Sequence, residues 1–266
     1  MAALALAIVA QPAAAAVGQW VVGAKAEVRL LAAGIGGDGR LSAGIEITLP
    51  PGWKTYWRSP GDAGIAPTID FSASRNLGPV EVSFPVPQRF DDGFSITNAY
   101  EGRVVLPISA AVRDKSSPVD LVLSLDLGVC EEVCIPDHID ARLAVPAGDS
   151  DAAAAALVAD ARARLPGAPE PGVFFVAAAS RDGGTDKRPM FRFKLAAPDA
   201  ANAVVFAEGP EDWYADVPVL AGTDGDRADF TVKFDRLVAK TPIAGARFRL
   251  TIVSGGRAIE QTIGLD

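Results

Sequence analysis

The stretch Val119-Asp-Leu-Val-Leu-Ser-Leu-Asp-Leu127, Gly128-Val-Cys130-Glu-Glu-Val-Cys134-Ile-Pro136 and Ile139-Asp-Ala-Arg-Leu-Ala-Val145 decides the fold. Apolar residues alternate at period two on both sides of the cysteines, as they do in strands with one buried face. A disulfide needs Cα atoms roughly 4.4–6.8 Å apart. Along one extended strand, positions four apart lie about 13 Å from each other. A bond between Cys130 and Cys134 therefore requires the chain to reverse between them, at a hairpin tip or in a helical turn. The alternating flanks favour the hairpin.

These are the only two cysteines of the 266 residues. The ring they would close is small. Loop entropy gives it roughly 2 kcal/mol, against about 4.7 for a 100-residue loop. Cysteines that serve stability usually join distant segments, so the spacing points first to a redox-active pair. A structural disulfide and a metal site are the two alternatives. The metal reading takes Cys130, Cys134 and His138, the sole histidine, in a C-x3-C-x3-H pattern. Structural zinc wants four ligands, and a fourth would come from Asp137, Glu131 or Glu132. Two thiolates also suit Cu(I). The plainer reading of His138 is a polar residue at the start of a strand.

The first ten residues are an apolar run, and Ala14-Ala-Ala16 supplies a small-residue cleavage site. Residues 1–16 thus read as a secretory signal, possibly truncated because it lacks a positive n-region. The run is too short to span a bilayer, which takes about 20 apolar residues. The expectation is an exported, periplasmic, soluble protein without membrane insertion, in a compartment where disulfides persist. Net charge is −8 and the pI about 4.8, which argues against nucleic acid or an anionic membrane as partner.

Twenty prolines and 26 glycines among many short alternating runs indicate an all-β architecture. The reading is two immunoglobulin-like β-sandwich domains joined by a short Ala-rich helix. The first domain spans 17–148, with strands expected at 24–32, 41–49, 68–71, 80–84, 103–112, 119–127 and 139–145. The linker, 149–167, contains the Ala-rich run from Asp151 to Leu165, whose opening acid and closing arginines match the helix dipole. Pro166-Gly167 ends it. The second domain spans 168–266, with strands expected at 173–178, 190–195, 203–207, 217–221, 228–234, 247–253 and 258–264. Each domain is expected to fold independently. Trp213-Tyr214 reads as a core or sheet-edge aromatic pair.

Two further segments are too rich for plain loops. Trp53-Lys-Thr-Tyr-Trp-Arg58 sets three aromatics and two cations in six residues, and Gln88-Arg-Phe-Asp-Asp-Gly-Phe94 precedes Ser-Ile-Thr-Asn-Ala-Tyr100. Phe94 beside Asp91, Asp92 and Gly93 suits a mobile cap over a reactive site. Glu131 and Glu132, between the cysteines, disfavour a thiolate. The pair therefore reads as a disulfide waiting for an incoming thiolate rather than as an aggressive oxidant.

Trp53-Lys-Thr-Tyr-Trp-Arg-Ser-Pro-Gly-Asp62, Phe90-Asp-Asp-Gly-Phe94 with Tyr100-Glu-Gly-Arg-Val-Val-Leu-Pro107, and Gly128-Val-Cys-Glu-Glu-Val-Cys-Ile-Pro136 together resemble the periplasmic N-terminal domain of the DsbD protein-disulfide reductases. The resemblance is nearest to the ScsB-like branch, tied to suppression of copper sensitivity, and covers roughly residues 20–147. It implies an immunoglobulin-like redox domain, with Cys130 and Cys134 at the redox positions. It also implies that Phe94 is the cap aromatic, Asp91 and Asp92 the acids beside it, and Tyr56 or Trp57 part of the pocket. The C-x3-C spacing is narrower than in the best-known members, and Gly93 stands where an aromatic is common. Full-length relatives also carry membrane helices and a thioredoxin-like domain, which this sequence lacks.

The functional expectation is a thiol–disulfide relay, a component of a protein-disulfide reductase, working without a cofactor. It would accept electrons from a membrane or thioredoxin-like thiol partner and pass them to periplasmic disulfide acceptors. The rivals are a copper- or zinc-binding module and a non-catalytic interaction protein with a structural disulfide.

Overall fold

The computed structural model describes residues 17–148, 150–236, 238 and 240–265. The signal-peptide reading of residues 1–16 lies outside them. In chain order the first half forms β1 (Val21–Val22), β2 (Glu27–Ile35), β3 (Arg40–Thr48), β4 (Lys54–Gly61), β5 (Thr68–Asp70), β6 (Leu77–Val82), β7 (Gln88–Asp91), β8 (Ile96–Glu101), β9 (Arg103–Val112), β10 (Val119–Cys130) and β11 (Cys134–Val145). A helix, α1 (Ala152–Ala163), follows. The second half forms β12 (Phe175–Gly184), β13 (Pro189–Ala196), β14 (Val204–Glu208), β15 (Tyr214–Ala215), β16 (Val219–Asp224), β17 (Arg227–Asp235), β18 (Arg247–Ser254) and β19 (Arg257–Gly264), with a 3-10 turn at Ala200–Asn202.

The protein is all-β apart from α1 and consists of two immunoglobulin-like sandwiches. In the first, a sheet ordered β1-β2-β3-β9-β6 faces one ordered β11-β10-β4-β8-β7, with β5 also paired to β10. The alternation in β10 is spent on this core. Leu121, Leu123 and Leu125 are fully buried, each worth about 1.5–3 kcal/mol relative to exposure. The second sandwich packs β12-β13-β17, with β15 and β16 on β17, against β14-β18-β19. Its core is an aromatic cluster of Phe191, Phe193, Trp213, Phe234 and Phe248. Trp213 is thus a core residue, whereas Tyr214 is exposed on β15.

Three findings add to the sequence reading. First, residues 54–61, 88–91 and 96–101 are strands rather than loops. Thr55, Tyr56 and Trp57 are buried in succession, because β4 is covered on both faces, so no period-two pattern marks it. Second, α1, which joins the two sandwiches in the chain, also packs on the first of them. Asp151 caps it by accepting from the Ala154 amide at 2.8 Å. Its Ala154 and Val158 then pack with Leu31 of β2 on the outer face of the first sandwich.

Third, the two sandwiches keep their own cores but meet at a shared contact. Phe206 of β14 joins the core of the first sandwich and meets the Trp57 ring edge-on, centroids 5.5 Å apart. Arg58 donates to Glu208 from Nε at 3.0 Å and from Nη2 at 2.8 Å, and to Glu260. Arg89 donates to the Val205 carbonyl at 2.7 Å, its guanidinium over the Phe206 ring.

Candidate functional site

The strands β10 and β11 pair without interruption from Val119↔Val145 to Cys130↔Cys134, and Glu131, Glu132 and Val133 form the exposed tip. The two cysteines are joined as a disulfide with Cα atoms 4.2 Å apart. The sheet gives them unequal surroundings. β10 is an interior strand, and Cys130 pairs with Lys54 of β4 on its other side, which leaves it 2% exposed. β11 is the edge strand of that sheet, and Cys134 is exposed.

Tyr56 sits on the outer face of β4, beside Cys130. Its hydroxyl donates to the sulfurs, 2.8 Å from Cys130 Sγ and 3.1 Å from Cys134 Sγ. Two glycines permit this placement. A Cβ on Gly64 would come within 2.6 Å of the Tyr56 ring, and one on Gly128 within 3.2 Å. Burial, assisted by the charge of Asp92, raises the Tyr56 pKa. The phenol therefore stays protonated and remains a donor across the physiological range. Ala99 and the partly buried Phe90 complete this small cluster, and Lys54 Nζ lies 5.1 Å over the Phe90 ring.

The other residues singled out from sequence fall elsewhere. Trp57, one position on from Tyr56, faces the opposite way into the main core and against Phe206. It belongs to the junction between sandwiches, not to the sulfur pocket. Asp91 and Asp92 shape the turn between β7 and β8. Asp91 accepts from the Gly93 amide, and Asp92 accepts from the amides of Phe94 and Ser95. The Ser95 and Phe94 amides hold the Asp92 carboxyl below its usual range.

Phe94 is 100% exposed at the tip of that turn, so it covers nothing in this conformation. Tyr56 packs on the sulfurs instead, with Ala99 and Phe90 in the same cluster. Phe94→Ala should accordingly leave stability within about 0.5 kcal/mol of the parent. Alkylation of the reduced thiols should stay within about twofold, since access governs thiol reactivity. A several-fold acceleration would mean that Phe94 closes over Cys134 in solution.

His138 shares the outer face of the hairpin with Cys134 but lies four residues along the strand, about 13 Å away. Its Nδ1 is 2.7 Å from Asp126 Oδ1 and its Nε2 3.5 Å from Asp140 Oδ2. The C-x3-C-x3-H set is therefore not assembled. Among the described residues, no group of three His, Cys, Asp or Glu is placed to hold a metal ion.

Sequence reasoning missed Phe90, Lys54, Ala99 and the two glycines around Tyr56. The signal for them was weak: a lone aromatic in a four-residue strand, and glycines whose need for space shows only once the chain is folded.

Residues 27–145 match the family model described as the N-terminal domain of the thiol:disulfide interchange protein DsbD. The crystal structure of the N-terminal periplasmic domain of ScsB from Proteus mirabilis shares the fold, with a TM-score of 0.75 at 24% sequence identity, over 94% of this chain and 98% of that one. No curated protein matches the sequence. Among the described residues, no helix is long and apolar enough to cross a membrane.

Proposed function

We propose that this chain is a periplasmic thiol–disulfide relay, a reading supported by the match of residues 27–145 to the family model described as the N-terminal domain of the thiol:disulfide interchange protein DsbD. It takes electrons from a thioredoxin-like or membrane dithiol and delivers them to periplasmic disulfides. The observation that carries the reading is the asymmetry of the pair: Cys134 is exposed, and Cys130 is buried beneath the Tyr56 hydroxyl.

Exchange follows from that asymmetry. A partner thiolate attacks Cys134 Sγ, the sulfur it can reach. A partner–Cys134 disulfide forms, the Cys134–Cys130 bond breaks, and its electron pair leaves on Cys130 Sγ. The Tyr56 O–H is already placed to donate to that thiolate, a charge-assisted hydrogen bond. The partner's second thiol then attacks its own sulfur in the mixed disulfide and releases Cys134. Two electrons and two protons have passed, and the partner leaves oxidised. On the acceptor side the steps reverse. The Cys134 thiolate attacks an acceptor disulfide, and Cys130 resolves the mixed disulfide by closing the ring again.

Equilibration of the full chain with glutathione buffers tests the reading. The bond should open and close reversibly with the fold retained, because a ring this small contributes only about 2 kcal/mol. A bond that never opens in that range, or a reduced chain that unfolds, would leave only a structural disulfide.

A further inference from the structure

The second sandwich has no cysteine or histidine, yet it grips the first at the two segments that frame the sulfurs. Between Tyr56 and Gly61, strand β4 runs out of step with β8. Tyr56 pairs with Ala99 and Gly61 with Thr97, so residues 57–60 bulge opposite Asn98 alone. That bulge begins one residue after the tyrosine that donates to both sulfurs.

It carries Trp57, which is buried against Phe206, and Arg58. The Arg58 guanidinium lies 4.5 Å over the Trp57 ring and donates to Glu208 of β14 and Glu260 of β19. Both ends of the ion-pair network are mostly buried, with Arg58 and Glu208 side chains each 17% exposed. The bulge also folds back on Tyr56, since Pro60 and the Tyr56 ring both bound the space beside Gly64. The same second-domain strand holds β7 through Arg89 and the Val205 carbonyl, and β7 contributes Phe90 to the Tyr56 cluster.

Within the first sandwich the bulge is tied to its partner strand by Asn98, whose side-chain amide donates to the Ser59 carbonyl at 2.9 Å. The Arg58 end of the bulge is held by β14 and β19 instead. Resting on the relay reading above, we infer that the second sandwich is a positioning module for the redox pair: Glu208 and Glu260, acting through Arg58, fix the bulge that sets the Tyr56 hydroxyl on Cys130 and Cys134. Arg58, Glu208 and Glu260 are positioning residues, since none of them touches a sulfur.

The test uses the full chain with Glu208→Gln/Glu260→Gln, which removes both carboxylate charges at nearly constant volume. Arg58→Lys is the milder partner variant, keeping the charge and losing the two-pronged contact. Each is made in the parent and in a Tyr56→Phe background. The readouts are the glutathione midpoint and the rate of reduction by a small dithiol.

If the bulge positions Tyr56, both variants shift the midpoint by about threefold or more, as expected when a donor to a thiolate is misplaced. In the Tyr56→Phe background the same substitutions then add no further shift. A purely structural role would lower the unfolding midpoint and leave the redox midpoint alone. Folded variants with the parental midpoint and rate overturn the inference. So does a shift of equal size with and without Tyr56. Should the double Gln variant fail to fold, the Arg58→Lys pair decides by the same criteria. A parent disulfide inert to every thiol would instead defeat the relay reading itself.

Discussion

Cys134→Ser should abolish thiol–disulfide transfer and capture almost no partner, while Cys130→Ser should abolish turnover but accumulate mixed disulfides. The difference comes from where the sheet places each sulfur. With Cys130 replaced, the remaining thiol is on the edge strand in solvent, and nothing is left to resolve a mixed disulfide once it forms. With Cys134 replaced, the remaining thiol is on an interior strand and 2% exposed, so a partner sulfur cannot reach it in line. Access to the attacked sulfur dominates exchange rates, and the yields of trapped complex should differ by about tenfold or more. Non-reducing gels of the two single-cysteine chains, incubated with oxidised periplasmic extract, provide the check. Equal trapping by both would show that the hairpin tip opens enough to make the sulfurs equivalent.

Trp57→Ala should cost the full chain about 3–5 kcal/mol, the usual range for emptying a large aromatic from a core. Trp57 is 1% exposed, sits in the first core, and packs edge-on against Phe206 from the second sandwich. The cavity would therefore open at the junction of the two halves, and the Arg58 guanidinium would lose the ring beneath it. Denaturant unfolding should show the loss directly. A cost under about 1 kcal/mol, typical of a surface position, would mean that the halves are only loosely apposed at this contact.

The contrast between Trp57 and Tyr56 shows how far the sequence could be read. The hairpin was legible because β10 and β11 each bury one face, and the period-two pattern survives up to the cysteines. Strands β13 and β17 were legible for the same reason, whereas β16 is exposed along its whole length. β4 was not, because both of its faces are covered and a bulge breaks its register. From residue types alone, Tyr56 and Trp57 are interchangeable aromatics. Only their placement on opposite faces sends one to the sulfurs and the other to Phe206.

The cap reading rests on a related ambiguity. An Asp-Asp-Gly-Phe turn specifies a tight loop, and here both carboxylates are spent on that loop's own amides. The sequence does not say whether the phenylalanine at its tip folds inward. The grip of Glu208 on Arg58 joins residues 150 apart, and no local pattern announces such a pair.

Rapid mixing of the oxidised full chain with a reduced thioredoxin-like dithiol, set beside the same experiment with glutathione, tests the relay most directly. A dithiol donor carries its resolving thiol with it, so the second step is intramolecular. Its transfer should run at least about a hundredfold faster per thiol than the monothiol reaction. Equal rate constants for the two reductants would contradict the account and return the Cys130–Cys134 bond to a structural role.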